Sequence, residues 1–299
     1  MKIIKIFIVV VVFGLLIYGI FSIAGSGSGS TKIDPNSPSL LDDLKRRVDN
    51  DWDNTSLWNQ TVYEKNISDA NVYHNDLEKI AAGNYSTLLN YTNEKACDKL
   101  IQFVNTEFAS ASCSPDNIAK FNQTIDYFVK ANGSIPASDP RIVAVRGKIK
   151  LYNDILAFGK KQISLSPGFN MSSGSWNDFS SYRTNQINIR DAFKRNTYYS
   201  SISHIPTIKN SLNSLEGKLS SARNSFEKNL SASIISAFEN APRTSSNQKQ
   251  LQYIYGKYYE SYDDGKRLSD FRKRFIKEVE EESRPKKSNT QNSQPYDRW

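Results

Sequence analysis

Between Pro206 and Phe238 apolar side chains recur at intervals that only a helix gathers onto one face. Ile208, Leu212, Leu215, Leu219, Ala222 and Phe226 are separated by alternating steps of four and three residues, the spacing of a coiled-coil seam. Leu230, Ile234 and Phe238 continue in steps of four, so the stripe drifts around the helix and a tight supercoil cannot persist. The seam covers nearly three heptads, which is short for self-association. It favours an antiparallel pairing within the chain over a homodimer, with a coiled-coil assembly component as the alternative.

The same period runs through the residues on either side, and strand-like alternation is nearly absent. Leu40, Leu41, Leu44, Val48 and Trp52 make one stripe, and a second helix is expected from a cap at Ser68 to Gly83. Leu88, Leu100, Val104 and Phe108 carry a third. Ser114-Pro115-Asp116 restarts the chain as a helix through Ile118, Phe121, Ile125 and Phe128. Ile142, Val145, Ile149, Tyr152 and Ile155 mark a further helix. Others are expected from Trp176 to about Tyr199, over 246–262 and over 266–282. The fold class is therefore all-α, an extended multi-helix bundle built around one long coiled-coil-like helix. Residues 164–175 are rich in Ser, Gly and Pro, and they read as a loop or as the boundary between two helical halves, 39–163 and 176–282. The tail 283–299 is polar and basic and is expected to be disordered.

A second kind of segment opens the chain. Ile6 to Ala24 is an uncharged apolar run of 19 residues, about 28 Å long as a helix and matched to a hydrocarbon core of about 30 Å. Residues 1–24 thus read as a transmembrane signal-anchor helix. Lys2 and Lys5 precede the run and only Lys32 follows closely, which places the N-terminus in the cytoplasm and the rest outside it. The run is longer than the core of a cleaved signal peptide, although Ser22-Ile23-Ala24 resembles a cleavage site. Residues 25–38 begin as a Gly/Ser repeat and end in Asp34-Pro35-Asn36-Ser37-Pro38, a flexible linker that stiffens at its far end. The expected location is the plasma membrane, single-pass, with the helical region in the cell envelope.

Charge adds a partner class. The chain of 299 residues carries a formal charge of +8, but the charge is unevenly placed. Residues 31–140 are net −6 and residues 141–230 are net +9. Either the acidic and basic halves neutralise each other, or a basic face meets an anionic envelope component or envelope protein. A surface held outside the cytoplasm does not meet nucleic acid. Within 266–277 six basic residues surround Leu268, Phe271, Phe275 and Ile276, and the glutamates after them suggest a solvated, salt-bridged helix face.

Two Cys and two His in the whole chain exclude a disulfide scaffold, a Cys/His zinc module and most His-centred metal sites. None of the common nucleophile, phosphate-loop or dinucleotide motifs occurs, so no catalytic, cofactor-binding or metal-binding residue is nominated. His74 has no carboxylate at the spacing that would share its helix face, and it reads as a surface histidine. Cys97 and Cys113 form a candidate disulfide only if the chain after Phe108 folds back along its helix. Tyr255, Tyr258, Tyr259 and Tyr262 cluster on one helical face and form a candidate partner surface, since each offers an apolar ring with a polar tip. Nine Asn-x-Ser/Thr triplets occur and read chiefly as ordinary polar surface. The leading expectation is a membrane-anchored envelope protein that binds or scaffolds. The enzyme alternative would place a site near 164–180, collecting Asp178, Tyr182 and Arg183.

Overall fold

The computed structural model describes residues 38–78, 84–131, 135–262 and 266–284. Every regular element among them is a helix: α1 Pro38–Asp53, α2 Gln60–Glu78, α3 Asn84–Ala109, α4 Pro115–Ala131, α5 Pro140–Lys160, α6 Phe179–Lys194, α7 Tyr199–Ile202, α8 Pro206–Glu239, α9 Ser245–Ser261 and α10 Lys266–Glu282. An isolated antiparallel bridge between Asn170 and Ser175 is the sole extended pairing among the described residues. No helix there is long and apolar enough to cross a membrane. The apolar run 6–24, nearly all of the linker and the tail beyond Arg284 lie outside the described residues.

Starts and stops follow local chemistry. Asp139 precedes Pro140 and accepts from the Arg141 N–H at 2.8 Å, so α5 begins with a cap and a proline whose missing N–H costs nothing there. Asp178 caps α6 through Ser180 N–H, and Thr244 caps α9 through Asn247 N–H. The second helix departs from expectation: α2 begins at Gln60, and Ser68 lies in its interior. The stretch 60–67 lacks an apolar stripe because its inward positions, Tyr63 and Asn66, are polar.

The chain divides into two compact units. One comprises the residues through Ser56 with Thr61–Lys95, and the other Leu57–Gln60 with everything from Ala96 onward. In the first, Leu44, Val48, Trp52, Tyr63 and Leu88 are buried. The Tyr63 hydroxyl donates to Asn93 Oδ1 at 3.3 Å. Asp49 accepts from the Tyr91 hydroxyl at 2.8 Å and pairs with Lys95 at 2.8 Å. Partial burial alone would raise the Asp49 carboxyl. The hydrogen bonds from Lys95 and Tyr91 outweigh it and hold the carboxyl below its ordinary value.

In the second unit all six seam residues are buried, as are Leu230, Ile234 and Phe238. The seam is covered by the chain's own helices, α5 running parallel to its start and α6 antiparallel to its later part. Gly147 meets the Tyr198 ring and Gly159 meets Ser211, close enough that a Cβ on either glycine would clash at 2.2 and 2.6 Å. Lys218 reaches the Gly159 carbonyl. Tyr152 faces Thr207 at the start of α8 while Gly159 faces Ser211 and Lys218 further along, so α5 and the start of α8 lie parallel. The return is made by α6, which sets Arg183 and Arg190 beside Glu216 and Phe179 beside Phe226. Rising residue numbers on α6 meet falling ones on α8, so α6 runs antiparallel along the seam, and a second antiparallel partner, α9, follows the short link 240–244.

There α8, α9 and α10 form an up-down-up cluster. Phe226, Phe238, Leu251, Ile254, Tyr258, Leu268, Phe271 and Phe275 are buried together. Arg243 holds the α8–α9 turn: its guanidinium donates to the Ala241 carbonyl at 2.7 Å, pairs with Glu278 at 2.6 Å and stacks 4.5 Å from the Phe275 ring. The apolar side of α10 is thus used inside the protein. Its outer side carries Arg274–Glu278 and Lys277–Glu281 pairs at one-turn spacing, the salt-bridged face the charge pattern suggests.

Residues 164–175 are a loop inside the second unit, since α5 before them and α8 after them pack directly. The loop is pinned by Gln250 donating to the Met171 carbonyl at 2.6 Å and by Asn177 donating to the Ser166 carbonyl at 3.2 Å.

Candidate functional site

A groove of about 620 Å³ lies between the segment 57–60 and one face of α4, within the second unit. Its floor is Trp58, which is buried. The indole N–H donates to the Ala96 carbonyl at 2.9 Å, and the Phe128 ring meets it nearly perpendicular at 5.7 Å. With both its polar atom and its edge engaged, the indole is held in one position. Leu57 stands exposed at the rim.

The α4 wall follows from helical spacing. Asn117, Phe121, Thr124 and Tyr127 recur every three or four residues and lie beside the buried stripe Ile118, Ile125 and Phe128. Phe121 and Tyr127 are half-buried. One side of each therefore packs on the helix bundle while the groove takes the other. Gln123 and Lys120 complete this wall. At one end Glu107 Oε1 accepts from the Ser114 N–H at 3.2 Å and from Asn117 Nδ2 at 3.1 Å, so the carboxylate ties the start of α4 to α3 and fixes the groove's end. Sequence reading took Phe121 as a core residue and nominated nothing in this groove. The available signal was the amide-rich α4 face beside the core stripe, which periodicity treats simply as polar surface.

The tyrosine face divides in two. Tyr258 and Tyr262 are buried, and the Tyr258 hydroxyl donates to the Glu227 carbonyl at 3.2 Å. The ring of Tyr262 packs 5.5 Å from Phe226. Burial pushes the Tyr262 hydroxyl above its ordinary pKa. These two belong to the core, because the face they share with Leu251 is the one turned toward α8. Tyr259 is 64% exposed and stacks on half-buried Tyr255, and Arg272 lies 4.2 Å over the Tyr255 ring. Tyr253, not nominated from sequence, is 57% exposed with Lys257 over its ring. What remains of the candidate surface is Tyr255 and Tyr259, widened by Tyr253.

A smaller cleft of about 300 Å³ lies between α6 and α8, lined by Ser180, Arg183, Thr184, Glu216, Arg223 and Tyr262. It gathers Arg183 but not the set expected near 164–180. Asp178 is engaged as the α6 cap and by the Ser181 hydroxyl at 2.8 Å. These contacts, the Ser181 hydrogen bond foremost, hold its carboxyl below the ordinary range. Tyr182 packs on Phe179. The guanidinium charge is partly met, since Arg183 and Arg190 share Glu216 and Arg223 pairs with Glu227 at 2.6 Å.

Cys97 and Cys113 are both buried and are not joined in a disulfide. After α3 ends at Ala109 the chain turns through 110–114 into α4, so Cys113 lies in the turn at the C-terminal end of α3. Cys113 sits beside Glu107 and Tyr152, whereas Cys97 is ten residues earlier on the helix than Glu107, about 15 Å away. Burial, with the Glu107 charge adding to it, pushes the Cys113 thiol up to about 11. His74 lies in α2, and its side chain is outside the described residues. Among the described residues no group of His, Cys, Asp and Glu is arranged to hold a metal ion.

The uneven charge is met locally where the acidic and basic stretches adjoin. Arg141 pairs with Asp98 and with Asp139, each at 2.9 Å, and Arg146 pairs with Asp126 at 2.7 Å. The first arginines of the basic stretch thus answer aspartates of the acidic one. No protein-family model matches the chain, and comparison with curated proteins and with solved structures finds no similar protein.

Proposed function

We propose that this chain is a single-span membrane protein whose helical region stands outside the cytoplasm as a binding or scaffolding module of the cell envelope. The observation that carries the reading is the uncharged run 6–24, preceded by Lys2 and Lys5 and followed by a Gly/Ser tether. A charged side chain in that run would cost a few kcal/mol in hydrocarbon, and none is present. The tether lets the helical region reorient above the bilayer while staying close to it. A binding role draws support from the groove at Trp58 and from exposed Tyr253 and Tyr259, which offer aromatic surface to a second molecule.

Alkaline carbonate extraction, followed by protease treatment of intact cells stripped of their outer layers, tests this reading. The chain should stay in the membrane pellet, and external protease should remove the helical region without lysis. Release into the carbonate supernatant overturns the anchor. Protection until lysis overturns the orientation.

A further inference from the structure

We propose that the groove between Trp58 and α4 is a binding site for a neutral saccharide. This goes beyond the envelope reading and does not depend on it, because it concerns the groove's own chemistry. Three features select the ligand class. Two half-buried rings, Phe121 and Tyr127, flank the groove above the buried Trp58, and their open faces suit the C–H faces of a pyranose. Beside them stand a side-chain amide and a hydroxyl, Gln123 and Thr124. An amide both donates and accepts, as a sugar hydroxyl does, so one amide can serve two neighbouring hydroxyls. The groove brings one cation, Lys120, and one carboxylate, Glu107, which is already committed to Ser114 and Asn117. A charged ligand therefore finds no surplus of opposite charge.

The competing classes fit less well. A purely apolar ligand would strip water from the amide and the hydroxyl without replacing their hydrogen bonds. An anionic chain would meet a single cation in the groove, Lys120, with the Glu107 carboxylate at its end. The opening of about 620 Å³ falls within the size of small-molecule sites and suits a short oligosaccharide. The floor is also organised in advance, since the Trp58 indole is held by Ala96 and Phe128 before any ligand arrives.

The test uses the full chain, made in a host that adds no N-linked glycans because Asn59 and Asn122 begin Asn-x-Thr triplets beside the groove. It is purified in a detergent without a sugar headgroup. Maltotetraose, cellotetraose and chitotetraose are titrated separately, with saturation-transfer NMR and tryptophan fluorescence as readouts. At least one should bind with a Kd at or below about 1 mM, with saturation transferred to its ring C–H protons. Phe121→Ala should weaken that binding about tenfold, the loss of one stacking contact. Gln123→Ala, at an exposed position that cannot unfold the core, should weaken it several-fold, and it decides the matter if Phe121→Ala alters the circular dichroism. The proposal is overturned if none of the three sugars binds, if both variants bind as the parent does, or if a sulfated oligosaccharide or a neutral peptide is preferred.

Discussion

The α8–α9–α10 cluster and the Trp58 groove are both rich in aromatic residues, yet they use them in opposite ways. In the cluster, Phe226 lies within 6 Å of both Phe179 and Tyr262, and Phe238 meets Phe275 edge-on at 6.1 Å. Those rings are fully or almost fully buried, so their contact energy holds three helices together. Around the groove Trp58 alone is buried, and Phe121 and Tyr127 keep one side open. The difference arises from what faces each ring. A third helix, α10, closes over the cluster, whereas α4 meets only the short segment 57–60 along its groove face. Aromatic content by itself therefore does not separate core from binding surface. The number of elements converging on the ring does.

Substitutions can break this contrast or sharpen it. Phe226→Ala should cost about 3–5 kcal/mol in denaturant unfolding, because a ring with no exposed surface leaves a cavity that three helices cannot easily fill. Phe121→Ala should cost about 1 kcal/mol or less in the same assay, since its pocket opens to water. Equal losses would mean that the groove wall is part of the core. Next in size, Arg243→Ala should cost about 2 kcal/mol, because it removes a charge-assisted pair to Glu278 and leaves the carbonyls at the end of α8 without their donor.

The tyrosines of α9 allow a finer comparison. Tyr258→Phe deletes the hydrogen bond to the Glu227 carbonyl and should cost about 1 kcal/mol. Tyr259→Ala should stay within about 0.5 kcal/mol of the parent, its ring being mostly in water. A melting curve that moved more for Tyr259 than for Tyr258 would reverse the assignment of the two faces.

The smallest expected effect is on acid stability. The Arg141 guanidinium, with the capping N–H groups, holds the Asp139 carboxyl below its ordinary value. A carboxyl depressed in the folded state stabilises above the unfolded pKa of about 4, and that contribution is lost as pH falls through the folded value. Asp139→Asn keeps a cap oxygen but removes the titration. Stability plotted against pH below about 4 should therefore fall less steeply in this variant than in the parent, by a difference well under 1 kcal/mol. Parallel curves would show that Arg141 does not bias the carboxyl.

Much of the helix plan is legible in the residues. The 4–3 spacing from Ile208 to Phe226 names the buried side of α8 correctly, and proline and aspartate mark the starts of α4, α5 and α6. Two expectations fail: the helix expected from Trp176 to about Tyr199 spans only Phe179–Lys194, and the second helix starts early. α2 begins at Gln60 because Trp58, just before it, is anchored by Ala96 and Phe128, a contact distant in sequence that no local signal announces. Ser68 reads as a cap, but a serine in mid-helix is indistinguishable from one until the chain before it is placed.

The candidate site was less legible than the fold. Tyr255, Tyr258, Tyr259 and Tyr262 share an approximate face, and periodicity cannot say which edge of it a neighbour covers. Two of them proved to be core. Phe121 fell on the core stripe by spacing and proved to be half open. The pair Cys97 and Cys113 depended on the direction of one turn after Ala109, and that turn leads into α4.

By itself the sequence determined that the described chain is helical and which stripe of each long helix is apolar, because a period of 3.6 residues is a local property of the backbone. It also contains the uncharged run 6–24, whose composition carries the membrane proposal. Only the tertiary structure decided what covers each stripe: α5 parallel to the start of α8, α6 antiparallel along the seam, then α9 antiparallel and α10 closing the cluster. The physical reason is that burial is non-directional. An apolar stripe needs cover from water, and its spacing does not specify which helix supplies it or where the cover ends and leaves a groove.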